Sequence, residues 1–575
     1  MSQILSIGGK IAEIIKKVSE AEWEPEVFVP ENKDFGHYST NVALRLAKLR
    51  ELNPLDLAKE LAEKISRAAP AGFFEEVHAA PPGFVNFWMS KEALCDEFAR
   101  VSGDRGYGFG EGMKGKTVMV EFTDPNPFKL FHIGHLMSNA IGESIARLYE
   151  AAGAKVIRAN YQADVGLHVA MSIWGMQHAG DEAPPEDAQL AEKVRYLGKA
   201  YAAGSRACRA NENSPARAEI ETLNKAIYEK SDSRVNALYE KGLKWSLDYF
   251  EEIYRRLGTK FDHYFFESDA GKEGLELVLD HNDVFSKSDG AIVFRGEDYG
   301  LHTRVFVNTQ GLPTYEAKEL GLNKKKFKLY PLDLSVIVTG NEINAYFAVL
   351  LKAMELVIPD VAEKTRHVPH GMMRLASGKM SSRTGEVIDA ESLIDEIKKR
   401  VLEKERERDI SGSDEETIRE DVAIGAIKYS ILRQGMGQDI VFDFDKSLSL
   451  KGDSGPYLQY AYARLRSILR KSGAQVSSIK CQVSGLNQEA ELTLIRKIIE
   501  FPDEVSRAAE DLQTSGLANY LHKLAALANK FYETTPVLKE ENESRRDALL
   551  ALLDVASSVL KSGLGFLGIK APEEI

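Results

Sequence analysis

A short apolar run, Thr117-Val118-Met119-Val120-Glu121-Phe122, breaks at Asp124-Pro125-Asn126-Pro127, and a helical pattern follows almost at once. This strand–turn–helix sequence constrains the fold more than any other feature of the chain. The run is short and rich in β-branched residues, which predicts a buried strand. The two prolines end it. From Gly134 onward Leu136, Ala140, Ile141, Ile145, Leu148 and Tyr149 recur at helical spacing, and the pattern stops at Gly153. Further strands are expected at 155–160 and 334–339, alternating with helices. Such alternation predicts a Rossmann-like, doubly wound α/β domain.

The turn carries chemistry. His132 and His135 fall three apart in the first helical turn, on one face. A helix N-terminus offers free N–H groups and partial positive charge, which suit phosphate oxygens, and two imidazoles there can donate to the same oxygens. Gly134 leaves room for a nucleotide ring or backbone. The plainer alternative is a surface histidine pair capping a helix. A second motif, Gly378-Lys379-Met380-Ser381-Ser382-Arg383, is glycine-bounded, polar and cationic. It reads as a mobile loop before a helix near Ala390, of a kind that stabilises charge developing on phosphoryl oxygens. Taken together, the two motifs describe a site that holds ATP from two sides and transfers its AMP part to a carboxylate.

The pair resembles the HIGH and KMSKS signatures of class I aminoacyl-tRNA synthetases, and the surrounding residues resemble the arginyl-tRNA synthetase family. Glu121-Phe122-Thr123-Asp124-Pro125-Asn126-Pro127-Phe128-Lys129-Leu130-Phe131-His132-Ile133-Gly134-His135 is similar to that family's E-F-x-x-P-N-x-x-K-x-x-H-x-G-H block. Asn160 to Gly166, Ser454 to Arg464 and Gly565 to Glu573 resemble further family segments. The resemblance implies activation of L-arginine with ATP and Mg2+, transfer to tRNA(Arg), and activation that requires bound tRNA. It implies that His132, His135, Lys129 and Lys379 act in catalysis, and that Gly134, Met380 and Ser381 join the two histidines in binding ATP. Glu121, Asn126, Tyr315 and Glu319 would hold arginine. Tyr457, Tyr460, Arg464 and Asn41 would contact tRNA. Tyr315 and Glu319 are four apart, hence on one face of a helix. A guanidinium wants a planar carboxylate partner.

Three positions depart from the family pattern. Glu319 stands where Asp is usual and reaches one methylene further. Ile343 stands where Gln usually helps hold the amino acid, so Glu342, Asn344 or a shifted backbone must compensate. Ser382 replaces the second lysine of KMSKS, and Lys129 is expected to share the pyrophosphate charge with Lys379. A synthetase for another amino acid, a synthetase-like tRNA-binding protein without catalysis, and a simpler nucleotidylyltransferase stay open as alternatives.

At 575 residues the chain suits three domains. Residues 1–112 read as an N-terminal α/β domain, for which the resemblance implies contact with tRNA, followed by a stretch from Gly103 to Gly115 with six glycines. Residues 113–400 read as the nucleotide fold, with insertions near 181–260 (helical) and 280–310 (antiparallel). Residues 401–575 read as a helical anticodon-binding bundle, with helices at 491–512, 515–532 and 544–562. Tyr457, Tyr460 and Arg464 lie along one edge of it, where aromatic and Arg planes stack on unpaired bases; a core stripe is the alternative. A net charge of −13 argues against a protein that coats nucleic acid non-specifically, so no DNA partner is expected. Lys324-Lys325-Lys326-Phe327-Lys328 is the densest basic run, a solvated loop or a contact to the tRNA acceptor end. No apolar run of membrane-spanning length is read, and no CxxC site that would mark a metal. Cys95, Cys208 and Cys481 are scattered, which suits a reducing cytoplasm. The family resemblance implies a monomer.

Overall fold

The computed structural model describes residues 6–104, 106–178, 180, 183–209, 214–376, 389–406, 415–473 and 485–575. Its residues form two compact units, one of 113–150 and 154–448, the other of 1–112, 151–153 and 449–575.

The first of these units is built on five parallel strands: β1 (Thr117–Glu121), β2 (Lys155–Gln162), β3 (His263–Phe266), β4 (Leu334–Gly340) and β5 (Thr365–His370). Their order across the sheet is β5-β4-β1-β2-β3. The chain therefore steps outward to one side through β2 and β3, then returns to the other side of β1. That reversal between β1 and β4 is a topological switch point, where a doubly wound sheet opens a crevice beyond its strand ends. In β1, Val118, Met119 and Val120 are fully buried, as a strand covered on both faces requires. The helix Ile133–Ala151 crosses over from β1 to β2. It packs so closely that a Cβ on Gly142 would lie 2.2 Å from the Phe122 ring.

Between β2 and β3 run the helices Leu190–Arg209, Pro215–Glu229 and Ser233–Leu257. Their core gathers Phe128, Val169, Ile173, Leu197, Ile220 and Trp245. Between β3 and β4 lies the antiparallel sheet of Phe285–Ser288, Ala291–Phe294 and Arg304–Val307. Its phenylalanines continue into the core under the helix Asn344–Val357. After β5, Met373–Leu375 pairs in parallel with Ile440–Phe442, a strand that the all-helical reading of the later chain does not contain. The helix Glu415–Leu432 is buried from Val422 to its end, and Lys428 donates to the carbonyl of Leu257 at 2.6 Å. The described residues between 401 and 448 thus belong to the unit of the parallel sheet, whereas the sequence reading draws its boundary at 400.

In the other unit, among the described residues, an antiparallel sheet (Tyr38–Thr40, Phe84–Met89, Phe74–Ala80) and four α-helices of the N-terminal region pack with five α-helices of the C-terminal region. The glycine-rich stretch is part of that packing. The Tyr107 hydroxyl donates to the carbonyl of Ile498 at 3.1 Å, and Gly108, at φ +94°, lies against Phe501. The helix expected at 491–512 is two, Glu489–Ile499 and Phe501–Glu510, because Pro502 starts a new helix. Among the described residues one helix, Glu543–Phe566, is long and apolar enough to cross a membrane, contrary to the sequence reading. It is 72% buried over its most apolar window, where Leu549, Leu552, Leu553, Val559 and Leu560 fill the bundle core.

Candidate active site

At the switch point a cavity of about 800 Å³ opens between the ends of β1, β4 and β5. His132, His135 and Gly134 line one side; Val338, Ile343, Met372 and Met373 line another. The rings of His132 and His135 are stacked, with centroids 3.5 Å apart. The His132 backbone N–H donates to Nδ1 of His135 at 3.2 Å, and the Gly134 N–H donates to Nδ1 of His132 at 3.1 Å. Both Nδ1 atoms are therefore acceptors, so in each neutral ring Nε2 carries the proton. Burial, then the charge of Lys129, lowers the pKa of His132 to about 4. Burial and the neighbouring His132 hold His135 well below its usual range. Both are neutral N–H donors near pH 7, at the start of the helix. Gly134 has a second reason to be glycine: a Cβ there would meet the His132 ring at 2.9 Å.

The loop that delivers this pair is strained. Thr123, Asp124 and Phe128 have φ of +79°, +41° and +66°. Non-glycine residues adopt this region at a cost, and persist there when surrounding contacts over-determine them. Here the contacts are explicit. The Thr123 N–H donates to Ser138 Oγ at 2.8 Å, and that hydroxyl donates to the carbonyl of Val338 in β4 at 3.0 Å. Asn139 donates to the Thr123 hydroxyl at 3.1 Å. Asp124 accepts from the Tyr161 N–H at 2.7 Å. The Phe128 N–H donates to Ser246 Oγ at 2.9 Å, while Gly242 makes room for the Phe128 ring. Lys129 follows, its ammonium 4.5 Å from the Tyr201 ring centroid.

Acidic groups crowd the carboxyl end of β1, beside this cavity. Glu121 is buried and pairs with Lys326 at 2.9 Å. The basic run 324–328 is thus no solvated loop but the end of the helix Tyr315–Leu329, with its middle lysine fully buried. Glu319, on the same helix, is pushed up to about 8, first by burial and then by the charge of Glu121. Asp124 is raised well above the carboxylate range for the same two reasons, in the same order. Glu267 and Lys318 form a second buried pair at 2.7 Å. Several carboxylates share two lysines, so the region holds more acid than its own cations neutralise. A ligand cation would relieve it.

Of the expected ATP and catalytic residues, His132, His135 and Gly134 come together in the cavity, and Lys129 lies close enough to depress both histidines. Lys379, Met380 and Ser381, with Ser382 and Arg383, lie outside the described residues. The residues flanking them are tied to the site. Leu375 lines the cavity, Asp389 bridges to His132, and the Ala390 N–H donates to the carbonyl of Phe131 at 2.8 Å. Of the expected arginine residues, Asn126 lines the cavity, Glu121 and Glu319 are electrostatic neighbours, and Tyr315 is exposed on the Glu319 helix. Ile343 adds an apolar wall; Glu342 also lines the cavity and Asn344 does not. Tyr460 and Arg464 share a cavity of about 510 Å³ with Arg470, Lys471 and Tyr532, whereas Tyr457 faces His522. Asn41 starts a helix and donates to Glu26 at 2.9 Å. Sequence reasoning missed Asp124, Ser138 and His370. The last stands before Gly371 at the end of β5, the strand-end position that the fold rule marks.

Residues 104–444 match the family described as tRNA synthetases class I (R), catalytic domain. Residues 6–89 match the arginyl tRNA synthetase N terminal domain, and residues 458–575 the DALR anticodon binding domain. Sheet order, histidine pair and the first of these matches define a class I aminoacyl-tRNA synthetase. The chain is 30% identical to the arginine--tRNA ligase of Bacteroides fragilis (strain YCH46), over 94% of each chain. It is 30% identical to that of Clostridium perfringens (strain 13 / Type A), over 98% of this chain and 99% of the other. The Thermus thermophilus arginyl-tRNA synthetase structure superposes with a TM-score of 0.82 at 25% identity, covering 99% of both chains. The chain belongs to the arginyl-tRNA synthetase family.

Proposed function

We propose that this protein activates L-arginine with Mg-ATP and transfers it to the 3′ end of tRNA(Arg). The arginine carboxylate attacks the α-phosphate, the bond to pyrophosphate breaks, and the terminal ribose hydroxyl of tRNA then takes the arginyl group from AMP. No side-chain nucleophile is needed, so the protein's part is positioning and stabilisation of developing charge. The observation that carries this reading is the stacked pair His132 and His135, held as two neutral N–H donors at the switch point. Such donors suit phosphate oxygens and cost no reorganisation at the moment of reaction.

Lys129 shares the pyrophosphate charge with Lys379, and Met380 and Ser381 complete the nucleotide contacts. Mg2+ enters with ATP as part of the substrate. Glu121 and Glu319 hold the guanidinium, Tyr315 covers it, and Asn126 holds the α-amino end. Glu342 supplies the polar contact that Ile343 cannot, since it lines the same cavity. Tyr460, Arg464 and Tyr457 contact the anticodon loop, and Asn41 the tRNA elbow. Activation needs bound tRNA. The setting is a monomer in the cytoplasm. The test is charging of total tRNA with labelled arginine. Arginine-specific, ATP-dependent label in tRNA supports the reading; tRNA binding without charging defeats it in favour of a non-catalytic RNA-binding protein.

A further inference from the structure

We propose that His370 selects the base of the nucleotide by accepting the exocyclic amino group of adenine at Nε2. The inference rests on the nucleotide reading of the cavity above and adds the residue that decides which purine enters.

His370 ends β5, beside Gly340 of β4, and lines the cavity while only 4% exposed. Its Nδ1 lies 2.8 Å from the carbonyl oxygen of Gly371. A carbonyl only accepts, so Nδ1 carries the proton, and in the neutral ring Nε2 presents a lone pair. This is the opposite tautomer from His132 and His135, whose Nδ1 atoms accept and whose Nε2 atoms donate. The cavity therefore holds two donor imidazoles and one acceptor imidazole. Donors suit phosphate oxygens; an acceptor repels them and suits an N–H. Burial lowers the pKa of His370, so the ring stays neutral near pH 7.

The surroundings suit a base. Val338, Ile343, Met372, Met373 and Leu375 make an apolar wall around the same cavity, fit for the faces of an aromatic ring. A purine desolvated there needs a partner for any polar edge it buries. Adenine offers an amino group, which Nε2 satisfies. Guanine and hypoxanthine offer a carbonyl at that edge, lone pair against lone pair. A histidine held in this tautomer by its own backbone neighbour is thus a filter for the 6-amino group, and a phenylalanine of similar size would fill the space without filtering.

The experiment compares wild type, His370→Phe and His370→Gln. Arginine- and tRNA-dependent pyrophosphate exchange is followed with ATP, with purine riboside triphosphate (which lacks the amino group) and with 2′-deoxy-ATP. Direct calorimetric binding of the same nucleotides is measured alongside. Wild type should prefer ATP to the purine analogue by about tenfold to a hundredfold, the usual range for a buried hydrogen-bond partner lost. His370→Phe should bring that ratio close to one by weakening ATP alone, with arginine KM unchanged, and His370→Gln, whose amide oxygen also accepts, should restore part of it. An unchanged ratio in His370→Phe overturns the proposal, as does a loss confined to discrimination against the 2′-deoxy compound. If wild type shows no exchange with any amino acid, the functional reading fails, and the binding ratio still decides the role of His370.

Discussion

The His132 backbone N–H donates to Nδ1 of His135 at 3.2 Å, while the two rings lie stacked 3.5 Å apart. One histidine's main chain thus sets the other's tautomer, and the helix start sets the first. On the proposed function, replacing either ring by alanine removes a donor to the phosphates. We expect kcat for activation to fall by about a hundredfold to a thousandfold, as for other preorganised oxyanion donors, with little change in arginine KM. Stopped-flow or exchange kinetics on His132→Ala and His135→Ala check this.

The same burial predicts the acid response. Folding lowers His132 from 6.5 to about 4. The sign follows from linkage: the stability this neutral ring contributes is fully present above its unfolded value and is lost as pH falls through the folded one. Between neutrality and the folded value of about 4 the histidine pair stays neutral and should leave activation unchanged. Denaturant midpoints across that range, with His132→Gln as the control, should show the wild type losing stability faster than the variant as pH falls below 6.5.

Glu319, at about 8 in the free protein, should bind arginine in its ionised form. A guanidinium beside it lowers that value, so binding releases a proton near neutral pH and arginine affinity rises as pH climbs toward 8. The stability sign is separate. Because folding raises this carboxyl above 4.5, its contribution is fully present below that value and is lost as pH rises through the folded one. Glu319→Gln should therefore melt no lower than wild type at alkaline pH while raising arginine KM by about a hundredfold. Calorimetry in two buffers of different ionisation heat counts the proton.

Gly242 tests the strained loop. A Cβ there would lie 2.1 Å from the buried Phe128 ring. Gly242→Ala should cost about 1–3 kcal/mol, the usual penalty for overpacking a core. Because Phe128 sits just before Lys129 and the histidines, kcat should fall further than stability alone explains. Melting and exchange kinetics on the one variant separate the two effects.

Much of this site is legible in the residues. The run from Thr117 to Phe122, the break at Asp124-Pro125-Asn126-Pro127 and the helical spacing after Gly134 predict β1, its turn and its helix, because local preference and packing agree there. Glu121 and Glu319 are recognisable as acids but not as neighbours, since they meet only when the helix Tyr315–Leu329 packs on the face of β1. Lys326 looks like part of a solvated basic run because nothing local reveals that it turns inward to Glu121. The strand Ile440–Phe442 is hidden because three residues carry no period, and its pairing with Met373–Leu375 is set by tertiary contact. The tautomer of His370 is invisible in sequence, since it depends on one carbonyl at 2.8 Å.

The most direct test of the central claim is amino-acid-dependent exchange of pyrophosphate into ATP, run with each of the common amino acids, with and without total tRNA. The account predicts exchange with arginine alone, and only when tRNA is present. Exchange with another amino acid, or none with arginine in the presence of tRNA, would contradict it.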